Sequence, residues 1–287
     1  MMTHPSLGID HCFSLVSNLD AAADTFRALG FTLSPRGLHS EEKGSANYTI
    51  MFPDDYYELL GLLRETPGNV RLQEKLRESG EGLHAIACRI KDARDAKAAL
   101  DAMGIATVGL NDFERPVDLP GGSTGVAAFS ILHFAPEEVP RGTVFMCQHR
   151  TPDTVWLPKL LDHANTACGL AGVVAKSDTP QEDAERFARL WANGRVTTTD
   201  DGVVVLTGEN SAHLTLLSPD VLAEKYRGLD LDALPDGAFD VLQVKVRDKD
   251  TAREVLDAAG IPWIKTDQGT AVGPAHAAGT IVEFIAR

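Results

Sequence analysis

The chain is short of cysteine pairs, of positive charge and of long apolar runs, and each shortage removes a class of protein. Its four cysteines, at 12, 88, 147 and 168, form neither a Cys-x-x-Cys pair nor a zinc-ribbon spacing. Each lies in an apolar, strand-like stretch, the setting expected of buried free thiols in a reducing cytoplasm. No apolar run approaches the roughly 18 residues that a membrane-crossing helix needs. The opening MMTHPSLGID has neither the basic nor the apolar region of a secretion signal. Lys and Arg number 27 against 41 Asp and Glu, a net charge of -14. Such a surface repels phosphate backbones and anionic lipid, so neither nucleic acid nor membrane is expected as a partner. A nucleophile elbow, a Walker motif, a dinucleotide glycine fingerprint and a His-Glu-x-x-His helix are all missing, which leaves hydrolase, kinase and dehydrogenase readings without support. What remains is a globular composition, 44% hydrophobic and 24% charged, in a chain of 287 residues, long enough for one large domain or two of ordinary size.

What is present is repetition. The segment 83-LHAIACRIKDARDAKAALDAMGI-105 aligns without gaps on 239-FDVLQVKVRDKDTAREVLDAAGI-261. Asp92 falls on Asp248, Ala96 on Ala252, Leu100 on Leu256, and Gly104 on Gly260. Both copies run from an apolar strand through an Asp turn into a helix stopped by glycine, as a duplicated unit would. Two weaker copies share the plan. Residues 9–16 lead into helix-start residues Asn18 and Asp20, and 169–176 lead into the Thr179-Pro180-Gln181-Glu182 cap. Short strand candidates follow each helix, at 31–35, 45–52 and 56–63 in the first unit and at 105–109, 126–133 and 143–149 in the second. They fall at 195–198, 202–207 and 211–217 in the third and at 262–266, 270–273 and 279–285 in the fourth. The fold class expected is therefore α+β, four βαβββ modules arranged as two paired-module domains. Residues 1–150 form the first pair, 151–165 a connection and 166–287 the second pair. A single four-stranded sheet with one helix has an uncovered face, so modules should pair over it.

One set of residues has the spacing of a metal site across these repeats. His11 lies in the first strand of unit one, Glu58 in its last strand, inside the apolar run YYELLGLL, and His84 in the first strand of unit two. A carboxylate in such a run is costly unless it is used. With strand order 1-4-3-2, His11 and Glu58 become neighbours, and pairing of the units would bring His84 to them. Two imidazoles and one carboxylate suit a divalent ion such as Fe, Mn, Zn or Ni with open positions.

The pattern Asp-His in strand one, Tyr-x-Glu-Leu in strand four and Gly-Leu-His opening the next unit resembles the vicinal-oxygen-chelate superfamily, and more closely its glyoxalase-like domain proteins. The stretches 145-FMCQHRTPDTVW-156 and 163-HAN-165 also resemble segments of such bacterial proteins. The resemblance implies a metal that chelates two neighbouring oxygens of a small oxygenated metabolite, in a lyase or isomerase reaction of the glyoxalase type. An Fe(II) extradiol-type dioxygenase is the enzyme alternative, and a non-catalytic small-molecule-binding protein of the resistance type is the other. It also implies homodimers, which such folds often form. Glyoxalase and epimerase relatives usually place a carboxylate on the last strand of the second module. Here that strand is TVFMCQHR, and Gln148 is the nearest candidate for a fourth ligand.

Strand alternation turns Cys12 away from the site and puts Cys147 out of phase with Gln148. His149 and His133 are candidate acid-base groups, since imidazole titrates near pH 6.5. His39, His163 and Asn165 are further candidates for contact with substrate. Gly121-Gly122-Ser123-Thr124-Gly125 reads as a hairpin or a mobile loop, with no following lysine to make a phosphate cradle. In the second pair, Asp240 occupies the place of His84 and the counterpart of His11 falls near Ala171 or Gly172. That half is expected to carry no metal.

Overall fold

Residues 3–119 and 122–287 are described by a computed structural model of the chain; Met1, Met2 and Gly121, which entered the readings of the N-terminus and of the glycine-rich hairpin, lie outside the described residues. The first module opens with β1 (Ile9–Val16), buried along its whole length because both its faces are covered. Cys12 and Val16 look into the helix-side core, Phe13 and Leu15 into the opposite face. Helix α1 (Leu19–Ala28) starts where the Asn18 side chain accepts the Ala21 N–H, at 3.1 Å. It is followed by β2 (Gly37–Leu38), β3 (Ser45–Met51) and β4 (Tyr56–Leu62). A further helix, α2 (Val70–Ser79), precedes the second module of β5 (Gly82–Arg89), α3 (Ala93–Met103), β6 (Thr107–Asp118), β7 (Thr124–Phe134) and β8 (Thr143–His149).

The second half repeats the scheme. Its third module has β9 (Ala167–Lys176), α4 (Pro180–Ala188), β10 (Arg195–Thr198), β11 (Val203–Leu206) and β12 (His213–Leu217), followed by a short α5 (Pro219–Lys225). The fourth has β13 (Val241–Val246), α6 (Lys249–Ala258), β14 (Trp263–Lys265), β15 (Gly269–Val272) and β16 (Ile281–Ala286). The repeated Asp does the same work twice: Asp92 and Asp248 each accept two backbone N–H groups in the first turn of α3 and α6.

Each pair of modules shares one eight-stranded sheet, in the order β2-β3-β4-β1-β5-β8-β7-β6 and β10-β11-β12-β9-β13-β16-β15-β14. The fold is thus α+β with four βαβββ modules, and β1 lies beside β4 as the 1-4-3-2 order requires. The helix-bearing sides of both sheets feed one continuous apolar core, in which Phe31 stacks on Phe284 at 5.8 Å. The bridge between the sheets joins Leu83 to Phe239, two residues that the internal repeat makes equivalent. Both inner faces consequently turn away from the shared core. In the first half the edge strands β2 and β6 come together, so the sheet curls around its inner face.

Four differences from the sequence reading matter for the site. The second strand, expected at 31–35, is the two-residue β2 at Gly37–Leu38, because Phe31 is drawn into the core behind α1. Strand β6 runs to Asp118, well beyond the expected 105–109. Helix α2 was not expected; it lays Leu72 and Leu76 against the inner face of the first sheet. Helix α5 was not expected either, and starts where Ser218 caps Val221 N–H ahead of Pro219.

Candidate functional site

Alternation along the strands aims a set of polar side chains into the curled first sheet. On β1 and β4, His11 pairs with Tyr56 and Phe13 with Glu58, so His11 and Glu58 sit on one face in adjacent strands. His11 Nε2 and Glu58 Oε2 are 3.9 Å apart, and both residues are buried. The other imidazole nitrogen, Nδ1, donates to Asp10 Oδ1 at 2.8 Å. Neighbours on a strand normally face opposite ways; here the β1–β5 register slips between Ile9 and His11, and the bulge turns Asp10 toward the cleft side of its neighbour. Asp10 Oδ1 also accepts from His149 Nε2 at 2.9 Å, and Oδ2 from Arg89 Nε at 3.0 Å. Burial opposes ionisation of Asp10, but the bonds from His11 and His149 outweigh it and hold the carboxyl far below the usual carboxylate range.

The ligating atoms of Asp10, His11, Cys147 and His149 lie within 4.8 Å of one another, the one such group among the described residues. Aromatic rings enclose it. Tyr56 stacks on His11 with centroids 4.2 Å apart, and Trp156, from the connection, meets the His149 ring at 4.8 Å. The Trp156 indole N–H is fixed by the Phe52 carbonyl at 3.0 Å. Glu58 Oε1 accepts from Asn47 Nδ2 at 2.8 Å. Burial pushes the imidazoles of His39 and His133 down to about 4, so both are neutral at pH 7. It pushes the Cys147 thiol well above its ordinary value, which keeps that group protonated.

Of the residues singled out in the sequence, His11, Glu58 and His149 come together. His84 does not join them. It occupies a second register slip, where Ser14 pairs with Leu83 and Phe13 with Ala85, and its Nε2 donates to the Gly80 carbonyl at 2.8 Å. The residue facing His11 on β5 is Ala87. Gln148, expected to complete the metal shell, lies on the helix side of β8, where its Oε1 accepts the Ala93 N–H at 3.0 Å. The phase of β8 is the reverse of the one read from sequence, so Cys147 and His149 face the cleft instead. His133 lines the cleft against Phe145, ring centroids 5.2 Å apart, and His39 bonds Ser45 Oγ at 2.8 Å beside Phe113. His163 and Asn165 fasten the connection to the first module. His163 accepts the Thr32 N–H and donates to the Met51 carbonyl; Asn165 donates to the Leu29 carbonyl. Sequence reasoning missed Asp10, Cys147, Asn47, Trp156, Lys43 and Arg115. Only Asp10 left a signal, its place beside His11.

The equivalent row of the second sheet is filled differently. Where the first sheet has Tyr56, His11, Ala87 and Phe145 side by side, the second has His213, Gly172, Gln243 and Glu283. Glu283 is fully buried and accepts from Tyr226 Oη at 2.9 Å, from Gln243 Nε2 at 2.8 Å and from the Thr266 hydroxyl. Asp240, in the place of His84, is buried beside Arg141 and accepts the Lys176 N–H at 2.6 Å. A buried carboxylate satisfied by three donors holds its surroundings together. Tyr226→Phe is therefore expected to destabilise the chain by about 1–3 kcal/mol, read as a lower urea midpoint at unchanged m-value. An unaltered midpoint would show that Tyr226 adds nothing to the burial of Glu283.

No helix among the described residues is long and apolar enough to cross a membrane. Among solved structures, a hypothetical protein from Staphylococcus aureus is similar over 97% of this chain and 99% of its own, with TM-score 0.67 and 16% identity. A mutant of 4-hydroxymandelate synthase from Streptomyces coelicolor is similar over 99% and 93%, with TM-score 0.58 and 13% identity. A variant of homoprotocatechuate 2,3-dioxygenase from B. fuscum is similar over 100% and 73%, with TM-score 0.56 and 13% identity. At such identities the likeness is one of fold. No curated protein matches the sequence. The family model of the glyoxalase-like domain matches residues 9–191, which take in the whole first sheet, the aromatic wall from the connection and the start of the third module. With that match and the paired-module fold behind it, the chain belongs to the glyoxalase-like domain family of the vicinal-oxygen-chelate superfamily.

Proposed function

We propose that the chain is a metal-dependent enzyme acting on a small oxygenated metabolite, with a divalent ion held by His11 Nε2 and Glu58 in the first cleft. The observation that carries this reading is the orientation of His11. Asp10 takes the proton on Nδ1, which leaves the lone pair of Nε2 facing Glu58 Oε2 at 3.9 Å. That separation is too long for a hydrogen bond, yet within what two metal–ligand bonds of ~2.1 Å span. A carboxylate behind a ligating histidine is the usual way of fixing the tautomer and raising its basicity.

A bound divalent ion, Fe, Zn, Mn or Ni, would supply Lewis-acid polarisation of two neighbouring substrate oxygens. The chain's own groups do the rest. His149 is bound to Asp10 through Nε2, and its Nδ1 is buried without a partner, placed to take up or return a proton. His133, neutral at pH 7, can accept one on the other side of the Phe145 ring. Tyr56, Phe145 and Trp156 exclude water around them. These groups suit a proton-shifting lyase or isomerase.

The grouping of His149 with His11 favours a second reading, an Fe(II) extradiol-type dioxygenase, because two imidazoles and a carboxylate with open positions also suit oxygen chemistry. Elemental analysis of protein purified without chelators tests both. About one equivalent of metal is expected in the wild type and in His84→Ala, with loss in His11→Ala and Glu58→Ala. Iron together with oxygen consumption on a catechol selects the dioxygenase; zinc, nickel or manganese selects the lyase or isomerase. A wild type that takes up no metal even after reconstitution would overturn the proposal and leave a small-molecule-binding protein.

A further inference from the structure

The first cleft holds two cations that make no ion pair among the described residues. Arg115, on β6, and Lys43, in the turn before β3, are both half-buried, and among the described residues neither forms an ion pair or donates a side-chain hydrogen bond. Lys43 Nζ instead sits 3.2 Å from the centroid of the Phe113 ring. Burial is the largest influence on both: it brings the Lys43 ammonium down to about 8 and lowers the Arg115 guanidinium as well, although the charge of Glu58 pulls each part of the way back. Withdrawing charges from water without a partner is expensive, and such cations persist where an anion completes them.

A second observation points to the same place. Asn47 is buried, and its amide orientation is fixed because Nδ2 donates to Glu58 Oε1. That leaves Asn47 Oδ1 buried with no donor. A β-carbon on Gly37 would lie 2.3 Å from Asn47 Oδ1 and 2.8 Å from Arg115 Nη1, so the amide oxygen and the guanidinium both pack over Gly37, in the space that any side chain there would take. Arg115 also lines a groove that opens outward between Ser34, Arg36, Thr49 and Val155. Asn47 in turn binds Glu58, and Glu58 faces His11, so Arg115, Asn47, Glu58 and His11 form one row of neighbours.

We propose that this row reads the substrate, and that the substrate is a small hydroxycarboxylate. Its carboxylate is taken by the Arg115 fork with Lys43 beside it, and its hydroxyl donates to Asn47 Oδ1. The planar guanidinium matches a carboxylate in two parallel bonds, which an ammonium alone cannot do. The net charge of the chain, -14, does not oppose this, because the field inside the cleft is set by the nearest groups. The inference rests on the functional reading above for what happens to the substrate, but not for how its carboxylate is recognised.

The test is calorimetric titration of the full chain, metal-loaded and chelator-treated, with glycolate, malate and the neutral glycolamide. Glycolate or malate should bind and glycolamide should not. Arg115→Gln should weaken that binding at least tenfold, and Lys43→Met should weaken it less, while the metal content of both variants stays at the wild-type level. Carboxylate binding that is equal in wild type and Arg115→Gln, or no carboxylate binding in either metal state, overturns the proposal. A wild type that binds no metal but still binds carboxylate through Arg115 would keep it while sinking the metal-dependent reading, so the two failures are distinct.

Discussion

Asp10→Asn is expected to lower metal affinity by roughly 10–100-fold and to destabilise the metal-free chain by about 2–4 kcal/mol. The carboxylate serves three donors at once: His11 Nδ1, His149 Nε2 and Arg89 Nε. An amide of the same shape has one oxygen to offer, and its NH2 group would face a donor. Because both imidazoles share Oδ1 and the guanidinium uses Oδ2, either the guanidinium or both imidazoles are then left unpaired in a site where Asp10 is only 1% exposed. Where the NH2 group faces the imidazoles, His11 also loses the partner that keeps its proton on Nδ1, so Nε2 no longer faces Glu58 as a fixed lone pair; where the oxygen faces them, the amide is a weaker acceptor than the carboxylate and fixes that proton less firmly. The pH dependence has a definite sign. The folded-state pKa of Asp10 lies below its unfolded value, so its contribution is complete above the unfolded pKa of about 3.9 and is lost as pH falls through the folded one. Metal titration and urea unfolding of the variant at pH 7 read both effects. Wild-type metal affinity in Asp10→Asn would show that something other than Asp10 orients His11.

The architecture was legible because each module carries its own punctuation. Asp92 and Asp248 cap equivalent helices, Gly104 and Gly260 end them in left-handed turns, and strand order follows once the modules are seen to repeat. His11 and Glu58 were legible for a related reason, since polar groups in apolar first and last strands of one module must meet in a sheet where those strands are neighbours. The errors over His84 and Gln148 concern phase. Strand β8 is apolar on both faces through Val144, Phe145, Met146 and Cys147, so alternation gave no sign of which side Gln148 and His149 occupy. The two slips in the β1–β5 register are equally silent in sequence, yet one brings Asp10 to His11 and the other takes His84 to the end of α2. Arg115 and Lys43 reach the cleft through a long β6 and a loop, segments whose course depends on how the sheet curls rather than on local pattern.

The pH dependence of stability should carry the mark of one residue, Asp55, in the turn between β3 and β4. Its carboxyl is 8% exposed and accepts the Leu170 N–H at 2.9 Å, tying the first sheet to β9 of the second. Burial raises it to about 7, against the pull of the Leu170 hydrogen bond and of Lys245 and Arg89 nearby. A folded-state pKa raised above the unfolded value of about 3.9 means that the native chain holds a proton which the unfolded chain releases. Stability from this group is complete below about pH 4 and drains away as pH climbs toward 7, the opposite of Asp10. Asn at this position keeps the acceptor oxygen for Leu170 and removes the titration. Between pH 5 and pH 8 the wild type should therefore lose about 2–3 kcal/mol more than Asp55→Asn. Urea unfolding of chelator-treated protein at the two pH values measures this without a contribution from bound metal. Parallel pH profiles would mean that Asp55 is ionised in the folded chain at both pH values. Its ion pairing with Lys245 or Arg89, and not a retained proton, would then be what joins the halves three residues ahead of Glu58.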